Sequence, residues 1–231
     1  MRDRPDAIML FAAGFGTRMR HLTADRPKPL VKVAGHTVLD HGLAQTDGVA
    51  LNRKVVNCHY LQDQIKAHLP NRPDVTVIHA GGEILETGGG LKNALPVLGD
   101  GPVFTMNTDA VWQGANPLQA LLDAWEPDKM DALLLCVPKE NAIAHMGTGD
   151  FTIADDGRLN YGPGDIYSGA QIVHTDRLHE ISETSFSLKQ LWAKLLDSKR
   201  MYGLRYTGKW CDVGSPEGVE QAETMLRTPD V

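Results

Sequence analysis

Cysteine is scarce in this 231-residue chain: there are three, Cys58, Cys136 and Cys211. They are odd in number and far apart, with no Cys-x-x-Cys pair and no histidine at zinc-finger spacing, so neither a disulfide framework nor a structural zinc site is indicated. No run approaches the roughly 18 apolar residues a membrane-spanning helix needs. The apolar run nearest the start, residues 7–13, follows Met1-Arg2-Asp3-Arg4-Pro5-Asp6. Two acids there spoil the positive region of a secretory signal, and the cytoplasm is the expected compartment. No basic block exists either: 23 Lys and Arg stand against 29 Asp and Glu, a net charge of -6. A nucleic-acid partner is therefore not expected, since such binding rests on neutralising many phosphates. Linkers rich in Gly, Ser or Pro, internal repeats and low-complexity tracts are missing as well.

What remains is ordinary globular material, 42% hydrophobic and 23% charged. Short apolar runs alternate with longer amphipathic ones over residues 1–137, the pattern of βα units feeding a parallel sheet. Strands are expected at 8–13, 54–58, 75–80, 103–107 and 132–137. Helices are expected at 38–49, 61–69, 89–95 and 117–125, the last with Asn116 as N-cap ahead of Pro117. Beyond Pro138 the pattern changes. Segments 149–154 and 158–161 flank Asp155-Asp156-Gly157 and read as a hairpin; a strand at 170–175, a helix at 188–197, a strand at 201–207 and a helix at 217–227 follow. The expectation is a single α/β unit in which residues 1–137 bind one substrate and 138–231 complete the site.

The most informative stretch is Leu10-Phe11-Ala12-Ala13-Gly14-Phe15-Gly16-Thr17-Arg18-Met19, followed by Arg26-Pro27-Lys28-Pro29-Leu30. A buried strand ending in small residues and two glycines can turn tightly and bring backbone N–H groups to a phosphate. It is neither a dinucleotide fingerprint, whose third glycine is replaced by Met19, nor a Walker loop, for which Gly-Lys-Ser/Thr is missing. Arg18 lies just behind the glycines. Lys28 sits between two prolines that restrict its backbone, so both cations can face one anion. Asp109 ends another apolar strand, at the carboxyl edge where open α/β sheets bind ligands. Asp212 has a similar strand-to-turn setting, and acids of this kind also serve simply to cap turns.

Residues 10–19 with Pro27-Lys28-Pro29-Leu30 resemble the N-terminal signature of the sugar-1-phosphate nucleotidyltransferases, roughly L-A-A-G-x-G-T-R-[LM] followed by P-K-[PA]-[LM]. The resemblance continues, in order, at Glu86-Thr87-Gly88-Gly89-Gly90, Asn107-Thr108-Asp109, Tyr167-Ser168-Gly169 and Trp210-Cys211-Asp212-Val213-Gly214-Ser215-Pro216-Glu217. It implies a three-layer Rossmann-like nucleotide-diphospho-sugar transferase fold with a mostly parallel sheet and a small sugar-side β subregion. It also implies an enzyme that joins a nucleoside triphosphate to a sugar 1-phosphate and releases pyrophosphate. Asp109 and Asp212 are then ligands of Mg2+, a hard ion that takes one or two protein carboxylates and leaves its other positions to water and phosphate.

The same resemblance assigns Arg18 and Lys28 to catalysis. It gives the nucleotide to Ala12, Ala13, Gly14, Phe15, Gly16, Thr17 and Asn107, with the Gly88 backbone on the base, and it places Asp150 and Gly169 beside the sugar phosphate. Asn141 and His145 are nearby and not assigned. The Glu-Glu-Lys-Pro element of larger relatives is missing: Leu159-Asn160-Tyr161-Gly162-Pro163 stands there, so its lysine is not transferred, Lys139 being a candidate that the sequence does not establish, and Ser215 replaces a common Thr. The short chain, the Leu85-Glu86-Thr87-Gly88-Gly89-Gly90 form and Gly149-Asp150-Phe151 look most like small bacterial uridylyltransferases acting on N-acetylmuramic acid 1-phosphate. A mannose 1-phosphate guanylyltransferase, a cytidylyltransferase for a phosphorylated alcohol and a non-catalytic nucleotide-sugar sensor are the alternatives. No appended β-helix acyltransferase domain is expected after residue 231.

Overall fold

A computed structural model describes residues 3–79 and 81–228. The first half runs β1 (Ala7–Phe11), β2 (Lys32–Val33), β3 (His36–Thr37), α1 (Val38–Thr46), β4 (Arg53–Cys58), α2 (Gln62–His68), β5 (Val75–His79), α3 (Glu86–Leu98), β6 (Pro102–Asn107), β7 (Ala110–Gln113), α4 (Pro117–Ala124) and β8 (Ala132–Val137). The second half adds β9 (Ala142–Ile143), β10 (Phe151–Ile153), β11 (Leu159–Tyr161), β12 (Ile166–His174), α5 (Leu188–Asp197), β13 (Met201–Arg205), β14 (Lys209–Asp212) and α6 (Pro216–Arg227).

The main sheet has seven strands in the order β13-β8-β12-β6-β1-β4-β5. All of its pairings are parallel except those of β12, which runs against both β6 and β8. Alternate side chains of β1 go to opposite faces: Ile8 and Leu10 join one core with α1, α2 and α4, while Ala7 and Met9 join another with α3 and α5. That alternation is what a strand buried on both sides requires, and it makes the fold three-layered. A smaller three-stranded sheet, β7-β14-β9, stands beside the main one. With α6 it closes a third core around Met19, Val31 and Val111. Among the described residues no helix is long and apolar enough to cross a membrane.

Several boundaries differ from the sequence expectation for physical reasons. The helix expected at 89–95 begins at Glu86 and runs to Leu98; its three glycines depress helix propensity, and packing overrides it. The strand expected at 170–175 runs from Ile166 to His174; Gly169 at φ 88° and a register shift between Tyr167 and Gln171 put a bulge in its first half, which breaks the alternation a strand shows in sequence. The expected strand 75–80 ends at His79, and Ala80 lies outside the described residues. At α4 the expected cap is present: the Asn116 side chain accepts hydrogen bonds from the Leu118 and Gln119 amides.

Candidate active site

β1 delivers its last residue to the carboxyl edge of the sheet, and the chain then turns through residues 12–18. Gly16 is needed there twice. Its φ is 66°, a left-handed value that costs other residues, and a Cβ on it would lie 2.8 Å from the Lys28 Cβ. The bare glycine thus lets the loop rest on the stem of the lysine. The Gly16 carbonyl accepts from the Met19 amide at 2.9 Å and from the Thr23 hydroxyl at 3.1 Å. Among the described residues, the amides of Gly14, Phe15, Gly16 and Thr17 donate to no protein acceptor. They are left as a row of free donors beside two cations.

Lys28 is buried, 9% exposed, and its ammonium lies 3.0 Å from Asp109 Oδ2. Asp109 occupies the bend between β6 and β7. β14 lies antiparallel on β7 with Asp212 opposite Ala110, and the Val213 amide donates to the Asp109 carbonyl at 2.7 Å. One register of one strand pair therefore sets the two acids side by side. The Asp212 carboxyl is pushed above the usual carboxylate range by burial and by the charge of Asp109, against the pull of Lys28, Arg18 and His145. A Cβ on Gly214 would lie 2.8 Å from Asp212 Oδ1 and 3.1 Å from both terminal nitrogens of Arg18, so the guanidinium and this carboxylate border the same small space. Among the described residues no three His, Cys, Asp or Glu side chains gather to hold a metal by themselves. The donor set is two facing carboxylates, which fits an ion that takes its other ligands from phosphate and water.

Lys28, Arg18 and Gly214 form one end of a cleft of about 520 Å³. The other end is walled by Asn57, Cys58 and His59 at the end of β4, by Ile78, and by Glu83 to Thr87 with Gly90 of α3. Residues 8–174 match the family described as the MobA-like NTP transferase domain. The chain belongs to this family. The transferase is 36% identical over 98% of its length to the N-acetylmuramate alpha-1-phosphate uridylyltransferase of Caulobacter vibrioides, covering 99% of that protein. It is 31% identical to the protein of the same name from Neisseria meningitidis, covering 94% of this chain and 96% of that one. HddC from Yersinia pseudotuberculosis, solved with GMP-PN, superposes with a TM-score of 0.75 over 96% of this chain and 99% of that one, at 21% identity.

Of the residues singled out from the sequence, Ala12, Ala13, Gly14, Gly16, Thr17, Arg18, Lys28, Asn107 and Asp109 line the cleft of the transferase. Asp212 stands directly behind Gly214. Phe15 is not among the lining residues; its half-exposed ring lies edge-on to His59 at 5.5 Å. Gly88 needs correcting. Its amide donates to the Phe186 carbonyl at 2.8 Å and a Cβ on it would lie 2.4 Å from the Phe186 ring, so that amide has no hydrogen to offer a base. Asp150 and Gly169 are not among the lining residues either. Asp150 accepts the Tyr167 amide at 2.9 Å and ties the β10-β11 hairpin to β12; Gly169 makes room for the side chain of Asn107, 2.8 Å from where its own Cβ would be.

The sequence reading missed Asn57, although a signal exists. Phe11, at the end of β1, has Asn57 on one side and Asn107 on the other in register, so each apolar strand flanking β1 carries an asparagine in its last or next-to-last position at the ligand edge. Ser215 proves to be the N-cap of α6, accepting the Gly218 amide, a task threonine performs equally well.

Proposed function

We propose that the chain transfers a uridylyl group from UTP to N-acetylmuramic acid 1-phosphate, releasing pyrophosphate. The observation that carries this is the meeting of Arg18, Lys28, Asp109 and Asp212 around one end of a cleft whose loop amides are free. The names of the two relatives supply the substrates. An oxygen of the sugar phosphate attacks the α-phosphorus in line; a P–O bond forms there, and the bond to the bridging oxygen breaks with its electron pair leaving on pyrophosphate. The nucleophile is already an anion and needs no base, so the protein's contribution is positioning and charge neutralisation.

Within this reading the amides of Gly14 to Thr17 hold the triphosphate and Arg18 meets the departing pyrophosphate. Lys28, parked on Asp109, reaches the α-phosphate or the sugar phosphate when one competes for it. Asp109 and Asp212 hold Mg2+, which when bound neutralises phosphate charge. Residues 1–137 serve the nucleotide and 138–231 the sugar phosphate within one domain, working in the cytoplasm, where cell-wall sugars are recycled.

Pyrophosphate release from four triphosphates against a panel of sugar 1-phosphates tests the reading. UTP with N-acetylmuramic acid 1-phosphate is expected to give the highest kcat/KM. Preference for GTP with mannose 1-phosphate would replace it by the guanylyltransferase, and no release with any pair would leave a nucleotide-sugar sensor.

A further inference from the structure

Asn57 is buried, 9% exposed, at the end of β4 in the wall of the cleft. Its Oδ1 accepts the Ala12 amide at 2.9 Å. Because that partner is a donor, the orientation of the carboxamide is fixed: oxygen toward Ala12, Nδ2 away from it. No described residue accepts from Nδ2. Gly90, across from it on α3, has no side chain; a Cβ there would lie 3.0 Å from Nδ2 and cover it. A donor held in a buried wall, unpartnered and reachable only because the facing residue is glycine, is set to meet an acceptor on a ligand.

The surroundings decide which part of the ligand. Arg18 and Lys28 stand beside the loop, whereas Asn57 is flanked in register by Phe11 and Ile78, and the exposed Glu83 and Glu86 with Thr87 and Asn93 complete that part of the lining. The two acids repel phosphate, and apolar walls suit a flat ring. We infer that Asn57 is the residue that reads the nucleobase, its Nδ2 donating to a ring carbonyl oxygen. This deepens the reading of the cleft as a nucleotide site and rests on it. A base that offers an amino group at that position leaves two donors face to face, and a site built to bond a polar group discriminates strongly against a ligand lacking the partner.

Asn57→Asp tests this: it keeps an oxygen for the Ala12 amide and turns the Nδ2 donor into an acceptor that also carries negative charge, a penalty common to all triphosphates, so the readout is the difference between bases at equal phosphate charge. UTP binding, measured by calorimetry without sugar phosphate, is expected to weaken at least tenfold, and the loss for ATP, which has no ring carbonyl, to be smaller. A loss that depends on the base is the readout, since a merely structural role for Asn57 would weaken all four triphosphates alike. UTP affinity within twofold of the parent overturns the inference, as does an equal loss for UTP, CTP, ATP and GTP, which would put Asn57 under the phosphates. Should the variant not fold, the parent protein still decides. Sulfur, a weak acceptor, in place of uracil O2 or O4 is expected to cost severalfold in affinity at one of the two positions, and no loss at either overturns the inference. The two readings fail separately: a parent preference for GTP or CTP sinks the choice of UTP and moves the Asn57 test to that triphosphate, whereas a preference for ATP sinks the role of Asn57.

Discussion

At the Arg18 and Lys28 end of the cleft the chain presents charge and bare backbone: a loop with free amides, two cations and two acids set in register by β7 and β14. At the Asn57 end the lining charges are instead acids, the exposed Glu83 and Glu86. The wall there is a buried carboxamide, apolar side chains and a helix start pinned from behind, where Phe186 donates its amide to the Leu85 carbonyl and accepts from the Gly88 and Gly89 amides. Phosphate is common to every candidate substrate and can be met by charge that the solvent partly reaches. A base differs from its rivals by one or two polar atoms, and only a rigid, water-poor wall makes such a difference costly.

Three measurements probe that contrast, the largest effect first. Phe186→Ala removes a buried ring packed on Gly88 and is expected to cost about 3–5 kcal/mol in urea unfolding. On the proposed placing of the base at the Asn57 end, UTP should bind less tightly while pyrophosphate, a probe of the charged end alone, binds as before. Equal losses for both would merge the two ends into one unit. Asp109→Asn makes the complementary cut: kcat is expected to fall by about 10²- to 10³-fold, as when a single electrostatic stabiliser is removed, with uridine affinity unchanged. Near-full turnover in this variant would remove Asp109 from any metal site.

The smallest effect is on stability. The raised Asp212 carboxyl means the folded protein holds that proton more tightly than the unfolded chain does. The stability it contributes is present below the unfolded value and is lost as pH rises through the folded one. In a chelating buffer Asp212→Asn should therefore melt higher than the parent at about pH 7, with the gap closing toward about pH 3, below the ordinary aspartate value. A lower melting point at neutral pH would show that burial and the charge of Asp109 do not penalise the ionised Asp212 carboxyl.

The charged end was legible in the sequence because its parts are contiguous and chemically odd: small residues after a strand, two glycines, a lysine between prolines. The main sheet and most helices were legible from periodicity. The β7-β14-β9 sheet was not, since strands of two to four residues carry too little pattern, and Asp212 was found through its motif rather than its strand. Gly88, Gly89 and Gly90 show the limit most clearly. Read alone they look like an open surface for a base. In the fold each is bare so that something distant can come close: the Phe186 ring, the Thr184 carbonyl and the Asn57 amide. Nothing local in Glu86-Thr87-Gly88-Gly89-Gly90 announces partners that lie so far off along the chain.

The contact between Gly16 and the stem of Lys28 makes the two halves of the N-terminal signature a single mechanical part. A side chain at position 16 would push the lysine off its carboxylate partner as well as reshaping the loop. Damage at 16 and at 28 should therefore overlap instead of adding, and a lineage that altered one would have to alter the other in the same step. The spacing between the glycine and the proline-flanked lysine is thus itself under constraint, as a length of chain that must return to one point.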